Sequence, residues 1–340
     1  MAYIDPEKAA LDKPYNEPFD EQSSKEIIRV RGLTKYFDSK LAVNDLSFTL
    51  EPQDVFGLIG PNGAGKTTTL RILATILRKD SGEVVIDGTP LEYDTGMESL
   101  RKIRSTIGFM PDFPGLYDDL LVSEYLEFYA RAYYIDEKMH PFVIKEALEI
   151  AGITELANRE IEGLSRGMKQ RMGLARILLH DPKILLLDEP AAGLDPRARV
   201  ELREIIKGLR KKGKTIIISS HILEDIEDFC NRIGIIEDGR IVKLEDMDTL
   251  AKETIKYTIC KVTILKNREQ AKDFLSVYPQ VQNLVWDEEN LRFDFMGSDE
   301  ELAQLLKIMV QKDIEVLSFN KERPSLEDVY MKFTERKPIT

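Results

Sequence analysis

The stretch "VFGLIGPNGAGKTTTLRILATIL", residues 55–77, decides the fold. It starts as a short apolar run, continues through a Gly-rich loop, and ends in a segment whose apolar residues recur at helical spacing. Residues 60–67 fit the pattern G-x-x-x-x-G-K-[S/T] of a phosphate-binding loop, which requires a strand before it and a helix after it. The sequence therefore predicts the strand, loop and helix of an NTPase core.

The loop offers groups that suit nucleotide phosphates. Its glycines let backbone N–H groups turn inward as an anion nest at the positive end of a helix. Lys66 adds a charge for the β- and γ-phosphates, and Thr67 can bind Mg²⁺. The predicted ATP-binding residues here are Gly60, Pro61, Asn62, Gly63, Ala64, Gly65, Lys66, Thr67 and Thr68. The alternative is a chance Gly-rich turn, which the flanking strand and helix disfavour.

A second apolar run, "KILLLDEP" at residues 183–190, ends in two acidic residues. An unbroken apolar run is typical of a strand buried on both faces. From its carboxyl end Asp188 can hold Mg²⁺ through water, while Glu189 polarises an attacking water as a general base. The alternative is a solvated turn, and the nearby phosphate loop favours the metal site.

The order of the remaining segments predicts the fold class. Strands and helices alternate through the core, which indicates a mostly parallel sheet covered on both sides. The β-rich runs 27–37, 45–52 and 83–91 predict an antiparallel β subdomain. Residues 113–180 are mostly helical by pattern and predict an α-helical subdomain. We therefore expect an α/β P-loop NTPase core with these two subdomains.

Composition shifts divide the chain into three parts. Residues 1–25 are polar and rich in Pro, so we expect a flexible tail, with a partner-binding arm as the alternative. Residues 26–250 form the predicted nucleotide-binding domain. Residues 251–340 spell the order βαββαβ, a small α+β, ferredoxin-like accessory domain that a helix at 325–336 closes.

Bulk properties limit the function classes. The 340 residues suffice for two domains, and no apolar stretch approaches the ~20 residues that a spanning helix needs. A net charge of −12 disfavours a nucleic-acid partner. Cys230 and Cys260 form no disulfide framework or metal motif, and the three histidines are scattered. Since no signal peptide is recognisable, we expect a cytosolic chain.

The segment "LSRGMKQRMGLARILLHDPKILLLDEPAAGLD", residues 164–195, narrows the choice among NTPases because it resembles the ATP-binding subunits of ABC transporters. The signature motif of that family, usually Leu-Ser-Gly-Gly-Gln, is matched at Leu164, Ser165 and Gly167. It departs at Arg166 and Met168. The resemblance covers residues 26–245, with the motifs in family order.

The resemblance implies an ATP site shared by two subunits. Ser165 and the backbone around Arg166 and Gly167 would contact the γ-phosphate of ATP held by the partner subunit. A helix that begins near Met168 would supply backbone N–H groups for this contact. A simple helix cap at Ser165 is the alternative and is compatible with this role. The family's D-loop aspartate would be Asp195.

Further family roles fall on two other segments. His221, in "IISSH", would be the switch histidine that contacts the γ-phosphate. "GLTKYF" resembles the adenine-stacking segment, with Phe37 as the stacking ring and Tyr36 as the alternative. ATP and Mg²⁺ are the implied cofactors.

The implied partners are a second nucleotide-binding subunit and a separate transmembrane permease. The nucleotide-binding pair would be a homodimer or a paralogous heterodimer, held peripherally at the cytoplasmic face of the membrane by the permease. "RPSLEDVYMKFTER", residues 323–336, resembles the C-terminal signature of exporter-type subunits, which favours export.

Asp112, in "IGFMPDFPGLYDDL" at residues 107–120, departs from the family, which has a Mg²⁺-ligating Gln at this position. A carboxylate is a stronger metal ligand than an amide oxygen but donates no hydrogen bond when ionised. We expect Asp112 to keep the metal contact and to alter the timing of coupling to the permease. The alternative is that it only turns the loop.

Two other functions compete with the transporter ATPase. A soluble ABC-type ATPase acting on ribosomes or DNA usually has two nucleotide domains or a long coiled coil, whereas this chain has a single phosphate loop. A regulatory protein that closes on ATP without hydrolysis is disfavoured by Glu189. For the C-terminal domain we expect a dimer-stabilising or regulatory role, with a ligand sensor as the alternative.

Overall fold

The computed structural model describes residues 26–93, 97–222, 224–227, 230–254, 257–287 and 290–322. The predicted tail at 1–25 and the predicted closing helix at 325–336 lie outside these ranges. The described residues up to Glu245 form one compact unit, and those from Asp246 onward form a second.

Strands and helices alternate through the first unit. Its strands are β1 (Ile28–Phe37), β2 (Lys40–Leu50), β3 (Val55–Ile59), β4 (Ser81–Ile86), β5 (Thr89–Pro90), β6 (Ile107–Met110), β7 (Ile184–Asp188), β8 (Thr215–Ser220), β9 (Arg232–Glu237) and β10 (Arg240–Asp246). Its helices are α1 (Lys66–Leu73), α2 (Met97–Thr106), α3 (Val122–Ala132), α4 (His140–Ala151), α5 (Arg166–Leu178), α6 (Pro196–Lys211) and α7 (Glu224–Glu227).

The predicted antiparallel subdomain is a four-stranded sheet in the order β2-β1-β4-β5. Strand β1 lies in its centre, where Ile28 pairs with Leu50 of β2 on one side and with Ile86 of β4 on the other. All three side chains are fully buried or nearly so. Because alternate residues of a strand point to the same face, this pattern gives the sheet one apolar face for the core.

A six-stranded sheet in the order β10-β9-β3-β8-β7-β6 forms the centre of the first unit. Strand β3 is parallel to β8 and β9, and β7 is parallel to β6 and β8. Every residue of β3, β7 and β8 is buried, which confirms the prediction of a parallel sheet covered on both faces. The carboxyl ends of these three strands therefore meet at one edge, where the phosphate loop begins.

The predicted helical region contains α3, α4 and α5. Helix α5 begins at Arg166, two residues before the predicted start near Met168, because the Ser165 hydroxyl caps it by accepting a hydrogen bond from the Met168 N–H (3.3 Å). It is fixed to α3 by Arg176, whose guanidinium donates to the Tyr125 hydroxyl (3.2 Å) in the interior. Near the start of α5 the Gln170 side chain donates to the carbonyl oxygen of Asp112 (2.9 Å), so this part of the helix lies beside the segment that carries Asp112.

The second unit contains the predicted βαββαβ order. After helix α8 (Met247–Thr254) its elements are β11 (Thr258–Lys266), α9 (Arg268–Ser276), β12 (Val281–Asp287), β13 (Asn290–Phe295), α10 (Asp299–Gln311) and β14 (Glu315–Glu322). The strands form an antiparallel sheet in the order β12-β13-β11-β14. Apolar residues of β11 and β13 pack with α9 and α10 in a separate core.

Candidate active site

The phosphate-binding loop connects β3 to α1, and two of its glycines have backbone angles that other residues rarely adopt. Gly63 has φ 85°, and Gly65, the N-cap of α1, has φ 107°. A Cβ at Gly65 would lie 2.5 Å from the carbonyl oxygen of Ala42, whereas one at Gly63 would meet nothing within 4 Å. Position 65 therefore excludes a side chain both by its conformation and by the close approach of β2.

We expect Gly65→Ala to lower the free energy of unfolding more than Gly63→Ala does. Both substitutions strain a left-handed backbone, and only the first also forces a Cβ against the Ala42 backbone, an overpacking cost of about 1–3 kcal/mol. Urea denaturation of the nucleotide-free protein measures the difference. Equal midpoints for the two variants would contradict the proposed contact.

The Lys66 side chain is only 5% exposed and is held by the loop itself. Its ammonium donates to the carbonyl oxygens of Gly60 (2.7 Å) and Pro61 (3.1 Å) and lies 3.5 Å from Oε1 of Glu189. Burial lowers the pKa of the Lys66 ammonium, and the Glu189 carboxylate opposes that shift. The loop thus keeps a buried cation at the place where phosphates would bind.

Asp188 is placed by the pairing of two parallel strands. The end of β7 lies in register with β8, so that Asp188 stands beside Ser219. Its Oδ1 accepts hydrogen bonds from the hydroxyls of Ser219 (2.7 Å) and Thr67 (2.9 Å). The side chain is 2% exposed, and these two donors compensate its burial. A carboxylate and a threonine hydroxyl from different elements are thereby brought together.

Glu189 has an unusual backbone conformation with φ 48°. Its N–H donates to the carbonyl oxygen (3.2 Å) and the hydroxyl (3.0 Å) of Ser219, which hold this conformation. The carboxylate lies between two nitrogens, with His221 Nδ1 at 2.7 Å from Oε2 and Lys66 Nζ at 3.5 Å from Oε1. Such a fixed carboxylate can accept a proton from a water held in the adjoining cavity.

An open cavity of about 450 Å³ joins the loop to both strand ends. Its lining residues are Phe37, Lys40, Ala42, Asn62, Gly63, Gly65, Lys66, Thr67, Thr68, Asp112, Glu189, Ala192 and His221. Ten of the predicted residues, from five separate segments, therefore surround one space. Gly60, Pro61 and Ala64 belong to the same loop but do not line the cavity.

Phe37, rather than Tyr36, borders the cavity. Its ring is 47% exposed, and the ammonium of Lys35 lies 5.7 Å from the ring centroid. The backbone N–H of Tyr36 and the ammonium of Lys35 both donate to the Asp80 carboxylate, at 2.6 and 2.8 Å. Asp80 thus fixes this end of β1 and, with it, the position of the Phe37 ring.

Asp112 lines the cavity, although it lies on a different segment from the loop and the acidic strand end. Its backbone carbonyl accepts a hydrogen bond from the Gln170 side chain (2.9 Å), while its Oδ1 is buried without a hydrogen-bond partner. Burial raises the pKa of the Asp112 carboxyl, and the charge of Arg166 opposes that shift. The carboxylate retains an unused acceptor beside the cavity.

Four further predicted residues do not line this cavity: Ser165, Arg166, Gly167 and Asp195. Asp195 caps α6 by accepting a hydrogen bond from the Ala198 N–H (2.9 Å), as Ser165 caps α5. A Cβ at Gly167 would lie 3.2 Å from that of Ala198, so Gly167 permits close packing of the two helices. Ser165, Gly167 and Asp195 thus cap or pack the two helices, whereas Arg166 Nη2 lies 3.9 Å from Oδ1 of Asp112, a residue that lines the cavity.

Comparison with known proteins identifies the family. The family model described as ABC transporter matches residues 43–192. The chain is 31% identical over 312 residues to the linearmycin resistance ATP-binding protein LnrL of Bacillus subtilis, which covers 91% of this chain and 99% of that protein. The chain belongs to the ABC transporter ATP-binding protein family. This ABC protein is thus a transporter subunit that binds and hydrolyses ATP.

Two further comparisons extend this result. The ABC protein is 35% identical over 313 residues to the Nod factor export ATP-binding protein I of Rhizobium sp. strain N33, over 92% of this chain and 98% of that one. A solved structure, described as a dimeric post-hydrolysis state of the ATP-binding cassette MJ0796 bound to ADP and Pi, matches with a TM-score of 0.59 at 26% identity. It covers 65% of this chain and 98% of that cassette.

Sequence reasoning missed several residues of this ABC ATPase site. Lys40, Ala42 and Ala192 line the cavity without belonging to a predicted motif. Ser219 bonds both Asp188 and the Glu189 backbone. Ser219 stands two residues before the predicted His221, near the end of β8. That position in the sequence could have predicted its role.

Proposed function

We propose that this chain is the ATP-hydrolysing half of an exporter, which acts through a separate permease at the cytoplasmic face of the membrane. The observation that carries the proposal is the convergence of Lys66, Thr67 and Glu189 on one cavity, together with the hydrogen bond that Thr67 donates to Asp188 (2.9 Å). The relatives named for Nod factor export and linearmycin resistance support export as the direction. No helix in the described part of the chain is long and apolar enough to cross a membrane.

In the proposed mechanism each residue acts from its observed place. Phe37 stacks on the adenine at the open end of the cavity, and the Lys66 ammonium neutralises the β- and γ-phosphates. Glu189 accepts the proton of the attacking water, while His221 orients its carboxylate and contacts the γ-phosphate. Burial lowers the pKa of the Lys66 ammonium, and negative phosphate charge beside it would oppose that shift as Glu189 does.

Thr67, Asp188 and Asp112 would hold Mg²⁺. Oxygen ligands suit this ion, which usually takes one or two carboxylates together with substrate phosphates. The fit rests on the Thr67–Asp188 contact and on the unpartnered, buried Oδ1 of Asp112. Within the described ranges no group of three or more His, Cys, Asp or Glu side chains could hold a metal ion. When bound, Mg²⁺ neutralises charge on the phosphates.

We also infer that the ATP site is completed by a second nucleotide-binding subunit, identical or paralogous. Ser165, Arg166, Gly167 and Asp195 do not line the cavity of their own chain. They lie at or beside the N-termini of α5 and α6, where free backbone N–H groups favour an anion. The γ-phosphate of a partner's ATP fits this surface.

The domain assignment follows from the same account. We propose residues 26–250 as the nucleotide-binding domain, with its helical subdomain at about 113–180, and residues 251–340 as the accessory domain. The strand order β12-β13-β11-β14 and the order of its elements support a ferredoxin-like class. Its proposed role is to stabilise or regulate the dimer.

Purification from membranes tests the transport assignment. We expect an affinity-tagged chain, solubilised in mild detergent, to bring with it a polytopic membrane protein, because the proposed exporter acts through a separate permease. Mass spectrometry identifies the partner, and an untagged strain is the control. Recovery with ribosomes or DNA, and with no membrane protein, would instead support the soluble alternative, which the net charge of −12 disfavours.

A further inference from the structure

Arg166, where this chain departs from the family signature, contacts two other segments at once. Its Nη2 lies 3.9 Å from Oδ1 of Asp112, and its guanidinium carbon lies 5.4 Å from the centre of the Phe113 ring. A Cβ at Gly193 would lie 2.5 Å from its Nη1, so the guanidinium rests directly on that backbone. Although 47% exposed, the Arg166 side chain is therefore held in place by its surroundings.

Asp112 is fixed through its backbone and left unsatisfied at its carboxylate. Gln170, which is 3% exposed, donates to its carbonyl oxygen (2.9 Å) and so ties the segment to α5. At 3.9 Å the Arg166 nitrogen is too distant for a hydrogen bond to Oδ1 and supplies electrostatic attraction only. The carboxylates of Asp188 and Glu189 repel the Asp112 carboxylate.

We propose that Arg166 is a positioning residue that competes with the bound cation for the carboxylate of Asp112. This inference rests on the proposed Mg²⁺–ATP site. The Asp112 carboxylate would have two positive partners, the guanidinium on α5 and a cation held by Thr67 and Asp188, and attraction to one would draw it from the other. The arrival of Mg²⁺ with ATP then weakens the tie to α5.

The competition would affect the start of α5, because Arg166 lies there. It is the residue next to Ser165, which we infer to contact the ATP of the partner subunit. Loss of the Asp112 contact frees the first turn of α5 at the moment when the chain's own site is filled. Cation occupancy in one site is thereby communicated to the surface that completes the other.

The expected size of the change in Mg²⁺ dependence follows from the exposure of the Arg166–Asp112 ion pair. Partly exposed pairs alter an equilibrium by about two- to fivefold. We therefore expect Arg166→Met to lower the Mg²⁺ concentration for half-maximal binding of a fluorescent ATP analogue by that factor. The titration is made in a Glu189→Gln background, so that hydrolysis does not interfere. In the additional presence of Asp112→Asn, Arg166→Met should have no effect, because the carboxylate it competes for is gone.

Lys169→Met is the matched control. Lys169 lies on the same first turns of α5 and is also cationic, but its ammonium pairs with Asp118 (3.1 Å) instead of Asp112. Its loss should leave the Mg²⁺ midpoint unchanged. Arg166→Gln is a second variant, and circular dichroism verifies that each variant is folded.

Three outcomes would overturn the inference: an unchanged midpoint, a raised midpoint, or an equal shift in the Asp112→Asn background. A parent protein that binds the analogue without any dependence on Mg²⁺ would instead contradict the proposed site itself. The two failures are therefore distinguishable in one set of titrations.

Discussion

Glu189→Gln should lower kcat for ATP hydrolysis by about 10²- to 10⁴-fold, the range that general-base catalysis contributes. The amide has the shape of the carboxylate but cannot accept a proton from water. It can still accept a hydrogen bond from His221, whose Nδ1 lies 2.7 Å from Glu189 Oε2, so the site should keep its arrangement. Steady-state phosphate release at saturating Mg²⁺–ATP measures kcat, and a fluorescence titration shows that ATP binding persists.

The matched control for this variant is Glu204→Gln. Glu204 forms an exposed ion pair with Lys207 on α6, 3.5 Å away, and contributes nothing to the cavity. The Glu204→Gln protein should hydrolyse ATP at the parental rate. If Glu189→Gln kept more than a tenth of the parental kcat, Glu189 would not be the general base.

Lys66→Met should weaken ATP binding by about 10- to 100-fold, since hydrogen bonds to a charged group each contribute about 1.5–3 kcal/mol. The free energy of unfolding should change by less than about 1 kcal/mol. Loss of the bonds to Gly60 and Pro61 is offset by relief of the desolvation that lowers the pKa of Lys66. Affinity is measured by fluorescence titration and stability by urea denaturation.

Lys79→Met is the control that separates loss of ATP binding from loss of a hydrogen bond between a lysine and a backbone carbonyl. The Lys79 ammonium also donates to a backbone carbonyl, that of Gly82 at 2.8 Å, but on an exposed surface outside the cavity. Its removal should leave ATP affinity unchanged. An affinity of the Lys66→Met protein within twofold of the parent would contradict the role of Lys66 as the phosphate cation.

The phosphate loop and the acidic strand end could be predicted from the sequence because each is a local pattern. The spacing of the glycines before Lys66 indicates the backbone conformation of the loop. The apolar run before Asp188 indicates a buried strand. The start of helix α5 is predicted to within two residues for the same reason. The helix begins earlier than predicted because Ser165 caps it.

The rest of the site depends on which strands are neighbours, and a single sequence does not reveal this. Ser219 stands beside Asp188 only because β8 lies next to β7. Lys40 and Ala42 reach the cavity from β2, in the other sheet. The contact between Arg166 and Asp112 joins residues more than fifty positions apart, and neither residue type predicts the other.

The central claim is that two chains complete one ATP site, and sedimentation of the Glu189→Gln protein tests it most directly. Since this variant should bind ATP without hydrolysing it, the closed state should accumulate. We predict that Mg²⁺–ATP converts monomers to dimers, and that ADP does not. A protein that stays monomeric with saturating Mg²⁺–ATP, or that is equally dimeric without nucleotide, would contradict it.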